Sequence, residues 1–297
     1  MRLLVTGATG FIGSHLVRKL VHDGHEVIPL SRLSAAPAGA LQHVQYDLGA
    51  SEPFPDIGHV DVILHLAGAS SVLEAEEDPA RVARVNVQGT LSALLFAQRT
   101  SASFVLASSQ RVYQQRLAPL PEEAPKVLTD LYGYTKLAAE LYTEMAARVF
   151  GVPSAIVRPF SVYGPGQLIS RGTSGVVSIL AQRALAGAPM VVMSRHPKDF
   201  VEVSDVVEGF LRAIDACRCP PPAYNIATGV PTTVLELAKL LRKVTASDSP
   251  IVEDYSKDEP GGLVASIERA RRELGYEPRV GLAKGLSTYV SWLSSPR

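Results

Sequence analysis

Three glycines spaced three residues apart follow a short apolar run at the start of the chain, in MRLLVTGATGFIGSH. A strand-like run, a glycine turn and a helix-like stretch in this order predict a helix N-terminus, where an anion is stabilised. We expect Gly7 to form the tight turn, Gly10 to leave room for a pyrophosphate and Gly13 to let the helix pack close to the strand. A plain strand-to-helix turn is the alternative.

Apolar runs of strand length alternate with helix-length segments through the first two thirds of the chain. The runs are RLLVTG, HEVIPLS, VDVILHLAG, SFVLASS and SAIVRPF. Strands that are apolar almost throughout and separated by helices indicate a parallel sheet covered on both faces. We therefore predict an α/β fold with a doubly wound parallel (Rossmann) sheet, in which ligands bind beyond the carboxyl ends of the strands.

The sequence becomes richer in loops after about Tyr163, which predicts a second, smaller C-terminal lobe for substrate binding. The predicted dinucleotide-binding lobe spans 1–163, with a return at about 200–228. The predicted substrate-binding lobe spans 164–199 and 229–297.

The composition restricts the function classes. The 297-residue chain is 46% hydrophobic and 20% charged with a formal net charge of zero, so we expect a globular enzyme that binds neither nucleic acid nor a membrane. Cys217 and Cys219 are separated by one residue, a poor geometry for a disulfide, and no second ligand pair completes a zinc site. We expect no metal, and free thiols in a reducing cytoplasm.

The segment YGYTK places Tyr132 and Lys136 four residues apart, on one face of a predicted helix, while Tyr134 points elsewhere. A free tyrosine has a pKa of about 10, so a phenolate base near neutral pH requires about 4 kcal/mol of assistance. A lysine ammonium about 4 Å away supplies energy of that order. An ordinary surface tyrosine and lysine at helical spacing is the alternative interpretation.

Two serines end the apolar run in FVLASSQRVY. Serines at the carboxyl end of a strand in a doubly wound sheet lie where a substrate would be bound. A turn or a helix cap is the alternative interpretation, and it is favoured when these serines are considered alone.

Together with HLAG, NVQGT, RPFSVYGPGQ, KDFVEVSDV and YNIATG, these motifs give a resemblance that runs nearly end to end. The chain resembles an extended short-chain dehydrogenase/reductase of the NAD-dependent epimerase/dehydratase family, whose members mostly act on nucleotide-linked sugars. The resemblance implies that Tyr132 is the catalytic acid/base. It implies that Lys136 binds the nicotinamide ribose and lowers the pKa of Tyr132, and that Ser109 hydrogen-bonds the reacting sugar oxygen. We also expect a homodimer.

The resemblance implies a dinucleotide-binding path as well. Gly7, Gly10, Phe11, Ile12 and Gly13 would frame the pyrophosphate, Asp47 and Leu48 would lie beside the adenine, and Leu66, Ala67, Gly68, Asn86 and Ser108 would line the rest. His65 matches a position that shapes the end of a strand, so we expect a packed histidine and not a ligand.

Departures from the family pattern narrow the reaction. The 4,6-dehydratases carry an Asp-Glu pair where this chain has Gln110 and Arg111, and a glutamate there also marks the sugar-acid decarboxylases. Those two reactions are therefore disfavoured. Epimerases and 4-keto reductases require only the serine, the tyrosine and the lysine, all of which are present.

Other departures affect substrate binding, for which we expect Ser109, Ser161, Arg171 and Lys198 to be used. Ser161 replaces the usual asparagine, and Lys198 replaces an arginine and so loses bidentate phosphate recognition. A basic residue that commonly meets the substrate diphosphate is replaced within KDEPGG, where Arg171 or Lys257 could substitute. An unusual nucleotide sugar and a different carbonyl or alcohol substrate both remain open.

The strand HEVIPLSR ends in Ser31 and Arg32, with no acid to bind the ribose 2′-hydroxyl of NAD. A serine and a guanidinium can both donate to a 2′-phosphate, so NADP is slightly favoured over NAD. A solvated Arg32 with NAD bound through other contacts is the alternative.

Three functions follow from these residues. The first is an NAD(P)-dependent epimerase of a nucleotide sugar that acts through a transient keto intermediate. The second is an NADPH-dependent reductase of a 4-keto sugar or another carbonyl. The third, a non-catalytic dinucleotide-binding regulator, is disfavoured by the intact set of Ser109, Tyr132 and Lys136.

Overall fold

Seven parallel strands form the central sheet of the protein. The computed structural model describes residues 1–33, 42–50, 52–70, 72–115, 119–128, 130–167, 175–256 and 262–295.

The strands of this sheet are β1 (Arg2–Thr6), β2 (Glu26–Ser31), β3 (Val44–Gln45), β4 (Val62–His65), β5 (Ser103–Ala107), β6 (Ser154–Pro159) and β10 (Ala223–Ile226). Outside this sheet, β7 (Ser161–Tyr163) pairs with β9 (Phe200–Glu202), and β8 (Met190–Val192) pairs with β11 (Ile251–Glu253).

The helices connect these strands and cover both faces of the sheet. They are α1 (Phe11–His22), α2 (Val72–Glu77), α3 (Pro79–Ala83), α4 (Gly89–Thr100), α5 (Leu131–Phe150), α6 (Val176–Leu185), α7 (Val203–Ile214), α8 (Val234–Val244), α9 (Glu268–Leu274) and α10 (Leu282–Ser294). A π-helical turn at Arg84–Gln88 precedes α4, and a 3-10 turn at Gln110–Val112 follows β5. None of the helices in the described ranges is both long and apolar enough to cross a lipid bilayer.

The strand order is β10-β6-β5-β4-β1-β2-β3. The chain winds outward from β1 to β3 and then returns to build the other half from β4, so the switch in direction falls between β1 and β4. A crevice opens beyond the carboxyl ends of the strands at such a point. The prediction of a doubly wound parallel sheet is confirmed.

Alternate residues of each strand enter two different cores, because successive side chains point to opposite faces of a sheet. Leu3 and Val5 of β1 pack with apolar residues of α1 and α7. Leu4 packs with apolar residues of α4 and α5. The sheet is therefore the middle layer of three and holds the strand ends in fixed positions.

A third core lies in the later part of the chain, where α6, α8 and α10 pack with β8 around Leu180, Leu237, Leu286 and Met190. Helix α8 begins at a capping box in which Thr233 and Glu236 satisfy each other's backbone groups. The predicted lobe boundaries remain a prediction. Helix α9, which falls in the predicted substrate lobe, contributes Ala270 and Leu274 to the core on the α1 face of the sheet.

Candidate active site

The turn between β1 and α1 depends on glycine for steric reasons. Gly7 has a φ of +68°, and a Cβ there would lie 2.7 Å from the backbone nitrogen of Ala67. A Cβ on Gly13 would lie 2.2 Å from the carbonyl oxygen of Gly7. No side chain caps the start of α1 at Gly10, so the first backbone N–H groups of the helix are available to an anion.

A cavity of about 1060 Å³ begins at this turn and runs along the carboxyl edge of the sheet. It brings together most of the residues that the sequence predicted. They are Gly7, Gly10, Phe11, Ile12, Gly13, Ser31, Arg32, Asp47, Leu48, Leu66, Ala67, Gly68, Ser108, Ser109, Tyr132, Lys136, Ser161 and Lys198. Arg171 and Lys257 lie outside the described residues.

Asn86 is not at the cavity surface, and its expected place on the dinucleotide path remains a prediction. Its side chain is buried behind the wall, where its Oδ1 accepts a hydrogen bond from the Ala69 backbone nitrogen at 2.8 Å. Its Nδ2 donates to the Ala69 carbonyl at 3.0 Å and to the Thr135 hydroxyl at 2.9 Å. Asn86 therefore fixes the loop after β4 against α5, because a buried amide must satisfy its own hydrogen bonds.

Ser31 and Arg32, the residues expected to bind the ribose 2′ position of the cofactor, differ in how available their side chains are to a ligand. The Ser31 hydroxyl is buried and lies 3.0 Å from Nε2 of His43. The side chain of Arg32 is exposed at the cavity wall. The Asp47 carboxylate accepts a hydrogen bond from the Gly49 backbone nitrogen and so stabilises the turn after β3.

Tyr132 and Lys136 lie on the buried face of α5, as the spacing predicted, whereas Tyr134 is 58% exposed. Asp130 caps the start of this helix, and its Oδ1 accepts from the Gly133 backbone nitrogen at 2.7 Å. The ammonium of Lys136 donates to the Ala107 carbonyl at 2.9 Å and lies 5.9 Å from the centre of the Tyr132 ring.

Burial dominates the titration of both Tyr132 and Lys136. Burial raises the pKa of Tyr132 to about 12, against the opposing effects of a hydrogen bond with Ser109 and the charge of Arg111. Burial lowers the pKa of Lys136 to about 8. Desolvation of the phenolate outweighs these opposing effects, so the pKa of Tyr132 lies above its ordinary value in the chain alone, and the lowering expected from Lys136 remains a prediction. Burial thus favours the phenol form of Tyr132 in the chain alone, and a role as a base requires further stabilisation of its phenolate.

The two serines after β5 have separate partners. The Ser109 hydroxyl accepts from the Arg111 backbone nitrogen at 3.2 Å and begins the 3-10 turn, so the cap interpretation of this serine also holds. The Ser108 hydroxyl donates to Oε1 of Glu140 at 2.6 Å. Ser109, and not Ser108, is the serine that hydrogen-bonds with Tyr132.

Sequence reasoning missed the polar residues behind and around this centre. Glu140 pairs with Arg158 beneath Ser108, and an arginine inside the apolar run SAIVRPF was the available signal, because a buried arginine requires a buried partner. Glu74, Arg81 and Gln167 also line the cavity, and no sequence signal marks them.

His65 and the two cysteines take no part in the cavity wall. His65 is buried between the hydroxyls of Thr6 and Thr90, and burial lowers its pKa to about 3. Cys217 and Cys219 are free thiols. The described part of the chain contains no group of three or more His, Cys, Asp or Glu side chains that could hold a metal ion.

Comparison with known proteins gives a consistent set of relatives. Residues 3–227 match the model of the NAD dependent epimerase/dehydratase family. The chain is 34% identical to a UDP-glucose 4-epimerase of Mycolicibacterium smegmatis, over 98% of both chains. It is 31% identical to UDP-glucuronic acid decarboxylase 1 of Arabidopsis thaliana, over 98% of this chain and 69% of that protein. The structure of MoeE5 in complex with UDP-glucuronic acid and NAD is similar over 99% of both chains, with a TM-score of 0.89 and 28% identity.

Proposed function

The chain belongs to the NAD dependent epimerase/dehydratase family, and we propose that it is an epimerase of a UDP-linked sugar. The observation that carries the proposal is the convergence of Ser109, Tyr132 and Lys136 in the cavity that starts at the glycine turn. The glycine turn alone would fit any dinucleotide-binding protein. The three side chains add a positioned acid/base at the carboxyl edge of the sheet, where substrates of such folds bind.

The described residues fit a nicotinamide dinucleotide. Gly7 and Gly13 keep the turn free of side chains, and the uncapped start of α1 offers backbone donors to a pyrophosphate. The cavity continues from there to Tyr132 and Lys136. A bound dinucleotide would supply the hydride acceptor and, later, the hydride donor.

In this proposal, residues of the chain itself carry out the proton transfer to and from the sugar hydroxyl. Tyr132, in its phenolate form, takes the proton of the ring hydroxyl, while the carbon that carries this hydroxyl loses a hydride to the bound dinucleotide. Ser109 holds the same oxygen through its hydroxyl. The keto sugar then rotates within the site, the hydride returns from the bound dinucleotide to the opposite face of its carbonyl carbon, and Tyr132 gives the proton back to the oxygen. Proton and hydride are both returned, so no cofactor is consumed.

The ammonium of Lys136 and the guanidinium of Arg111 favour the phenolate form of Tyr132, with which this cycle starts and ends. Each is a positive charge near a phenol whose ionisation burial opposes. In this proposal Lys136 also binds the nicotinamide ribose.

Incubation of the cofactor-loaded protein with a panel of UDP-sugars tests this function. We expect at least one sugar to be converted to its C4 epimer, observed by chromatography or NMR, with no net change in the absorbance of reduced cofactor. Steady consumption of NADPH with a keto sugar would favour the reductase instead. Dinucleotide binding with no turnover of any sugar would contradict both.

The choice of cofactor rests on Arg32 in our proposal, in which NADP binds about tenfold more tightly than NAD. The similar structure of MoeE5 contains NAD. At the matching edge of this sheet the exposed Arg32 guanidinium follows β2, and the carboxyl end of β2 carries no carboxylate that would repel a 2′-phosphate. Ser31 contributes less, because its hydroxyl is already paired with His43.

Titration of nucleotide-free protein with both cofactors measures this preference. We expect Arg32→Ala to weaken NADP binding about tenfold, the value of one charge-assisted contact, and to leave NAD binding unchanged. Arg272→Ala, a substitution of an arginine whose side chain is 67% exposed on α9, is the matched control. A preference for NAD that Arg32→Ala leaves untouched would contradict the proposal.

We further propose that the protein is a homodimer formed through α4 and α5. Leu95 of α4 is 38% exposed, and Leu141 and Val149 of α5 are 55% and 63% exposed. These helices are neighbours on the same face of the sheet, so together they present apolar surface to solvent. Sedimentation velocity of the wild-type protein and of Leu95→Glu/Leu141→Glu tests this, with a monomeric wild type as the contrary result.

A further inference from the structure

Arg111 lies beside Ser109 and Tyr132, two of the residues that the proposed reaction uses. It follows Ser109 by two residues, and its backbone nitrogen donates to the Ser109 hydroxyl at 3.2 Å. Its carbonyl oxygen lies 2.6 Å from the position that a Cβ of Gly133 would occupy, so the turn packs directly onto the start of α5 beside Tyr132. Arg111 and Tyr132 line the same cavity.

One nitrogen atom of the Arg111 guanidinium is hydrogen-bonded to the described residues, and its other nitrogen atoms can donate to a ligand. Its Nη1 donates to Oδ2 of Asp130 at 3.3 Å, and this is its only side-chain hydrogen bond to the described residues. The side chain of Arg111 is 40% exposed, whereas that of Asp130 is 11% exposed and also caps α5. Asp130 therefore fixes the direction of the arginine while leaving Nε and Nη2 as donors. A guanidinium presents such donors as a fork that matches a carboxylate.

The neighbouring Gln110 has a complementary feature. Its Nε2 donates to the Ser161 hydroxyl at 3.3 Å, while its buried Oε1 has no hydrogen-bond partner among the described residues. An orphaned buried acceptor in a cavity wall indicates a donor on the ligand, such as a sugar hydroxyl. The three residues at which the chain departs from the family pattern here, Gln110, Arg111 and Ser161, thus form one patch.

We infer that Arg111 is a specificity-determining residue that binds the carboxylate of a nucleotide-linked uronic acid. The inference rests on the proposed function and specifies its substrate class. In a hexuronic acid the carboxylate is attached to C5, the neighbour of the C4 carbon that the proposed reaction oxidises. A cation held next to Ser109 and Tyr132 is therefore within reach of that carboxylate, and a neutral hexose offers it only a hydroxyl.

The charge of Arg111 also leads us to expect that the uronic acid keeps its carboxylate during the proposed reaction. Loss of CO₂ from a 4-keto uronic acid breaks the C5–C6 bond and moves its electron pair into the ring as an enolate. A guanidinium paired with the carboxylate stabilises the negative charge on the carboxylate oxygens. It therefore opposes the loss of CO₂, in which that charge moves into the ring. The proposed reaction is epimerisation of the uronic acid with all its carbon atoms retained.

Binding of UDP-glucuronic acid and UDP-glucose tests the inference, because these ligands differ only at C6. We propose isothermal titration of the cofactor-loaded Tyr132→Phe protein, in which both ligands stay unreacted. UDP-glucuronic acid is expected to bind more tightly by about tenfold to 100-fold, the range of one charge-assisted hydrogen bond. Arg111→Gln should abolish this difference, and Arg272→Gln should preserve it.

Equal or tighter binding of UDP-glucose would overturn the inference, as would a preference that survives Arg111→Gln. The measurement requires no turnover, so its result is independent of the proposed activity. A carboxylate preference that depends on Arg111 supports the inference even if the protein epimerises neither sugar. A lack of epimerisation would count against the proposed function and not against the binding role of Arg111.

Discussion

Substitution of Tyr132 by phenylalanine is expected to lower the turnover number by about two to four orders of magnitude, as loss of a positioned acid/base typically does. The change removes one oxygen atom from a side chain that is 9% exposed, so the packing of α5 stays intact. Lys136 keeps its hydrogen bond to the Ala107 carbonyl, and the glycine turn lies on another strand. The affinity for the dinucleotide should therefore change little.

Tyr134→Phe is the matched control for this prediction. It removes the same atom from the same helix two residues away, at a side chain that is 58% exposed and outside the cavity wall. Its turnover number should stay within about twofold of the wild type, as expected for a surface change. The two variants are compared by steady-state kinetics with the best UDP-sugar of the panel, and by cofactor titration. A Tyr132→Phe protein as active as the Tyr134→Phe protein would remove Tyr132 from the mechanism.

The sequence was sufficient to predict those parts of the site that steric rules determine. A Cβ at position 7 or 13 would meet backbone atoms at less than 3 Å, so the glycine spacing left few alternatives to a close strand-turn-helix junction. The helical spacing of Tyr132 and Lys136 likewise determined that they share a face. These features depend on residues near one another in the chain.

Features that depend on distant partners were not predictable from the sequence. The pKa of Tyr132 depends on how deeply the folded protein buries it, which no local pattern reports. The position of Asn86 behind the cavity wall depends on Ala69 and Thr135, which reach it from other elements. The contribution of Ala270 to the core around β1 depends on a long return of the chain.

The ion pair beneath the site is the clearest example of a feature set by distant partners. Arg158 of β6 and Glu140 of α5 are 2% and 0% exposed and make two parallel hydrogen bonds, Nε–Oε1 and Nη2–Oε2, each 2.8 Å long. Oε1 also accepts from Ser108 at 2.6 Å, and Oε2 accepts from Lys126 at 3.1 Å. Both carboxylate oxygens are thus fully used, and the pair connects the back of the cavity to the sheet.

The second large effect is therefore expected from Glu140→Gln, which should lower the free energy of unfolding by about 3 to 5 kcal/mol. The substitution conserves shape but leaves the Arg158 guanidinium buried without a counter-charge, and burial of an unpaired charge is costly. The remaining partners of Arg158, the Tyr113 hydroxyl and the Glu122 carbonyl, are neutral acceptors. Glu144→Gln, one turn further along α5 at a partly exposed position, is the control and should cost less than about 0.5 kcal/mol.

The pH dependence of stability provides an independent test of the same pair. Burial alone would raise the pKa of Glu140, but the hydrogen bond and charge of Arg158 outweigh it and hold the pKa below its usual value. A carboxyl group with a depressed pKa in the folded state contributes stability above its unfolded pKa, and this contribution is lost as the pH falls through the folded pKa. Urea denaturation should thus show the gap between wild type and Glu140→Gln at its widest near neutral pH and narrowing below about pH 4.5. A gap of less than about 1 kcal/mol at pH 7, or one that is independent of pH, would mean that the pair contributes no more than an ordinary surface ion pair.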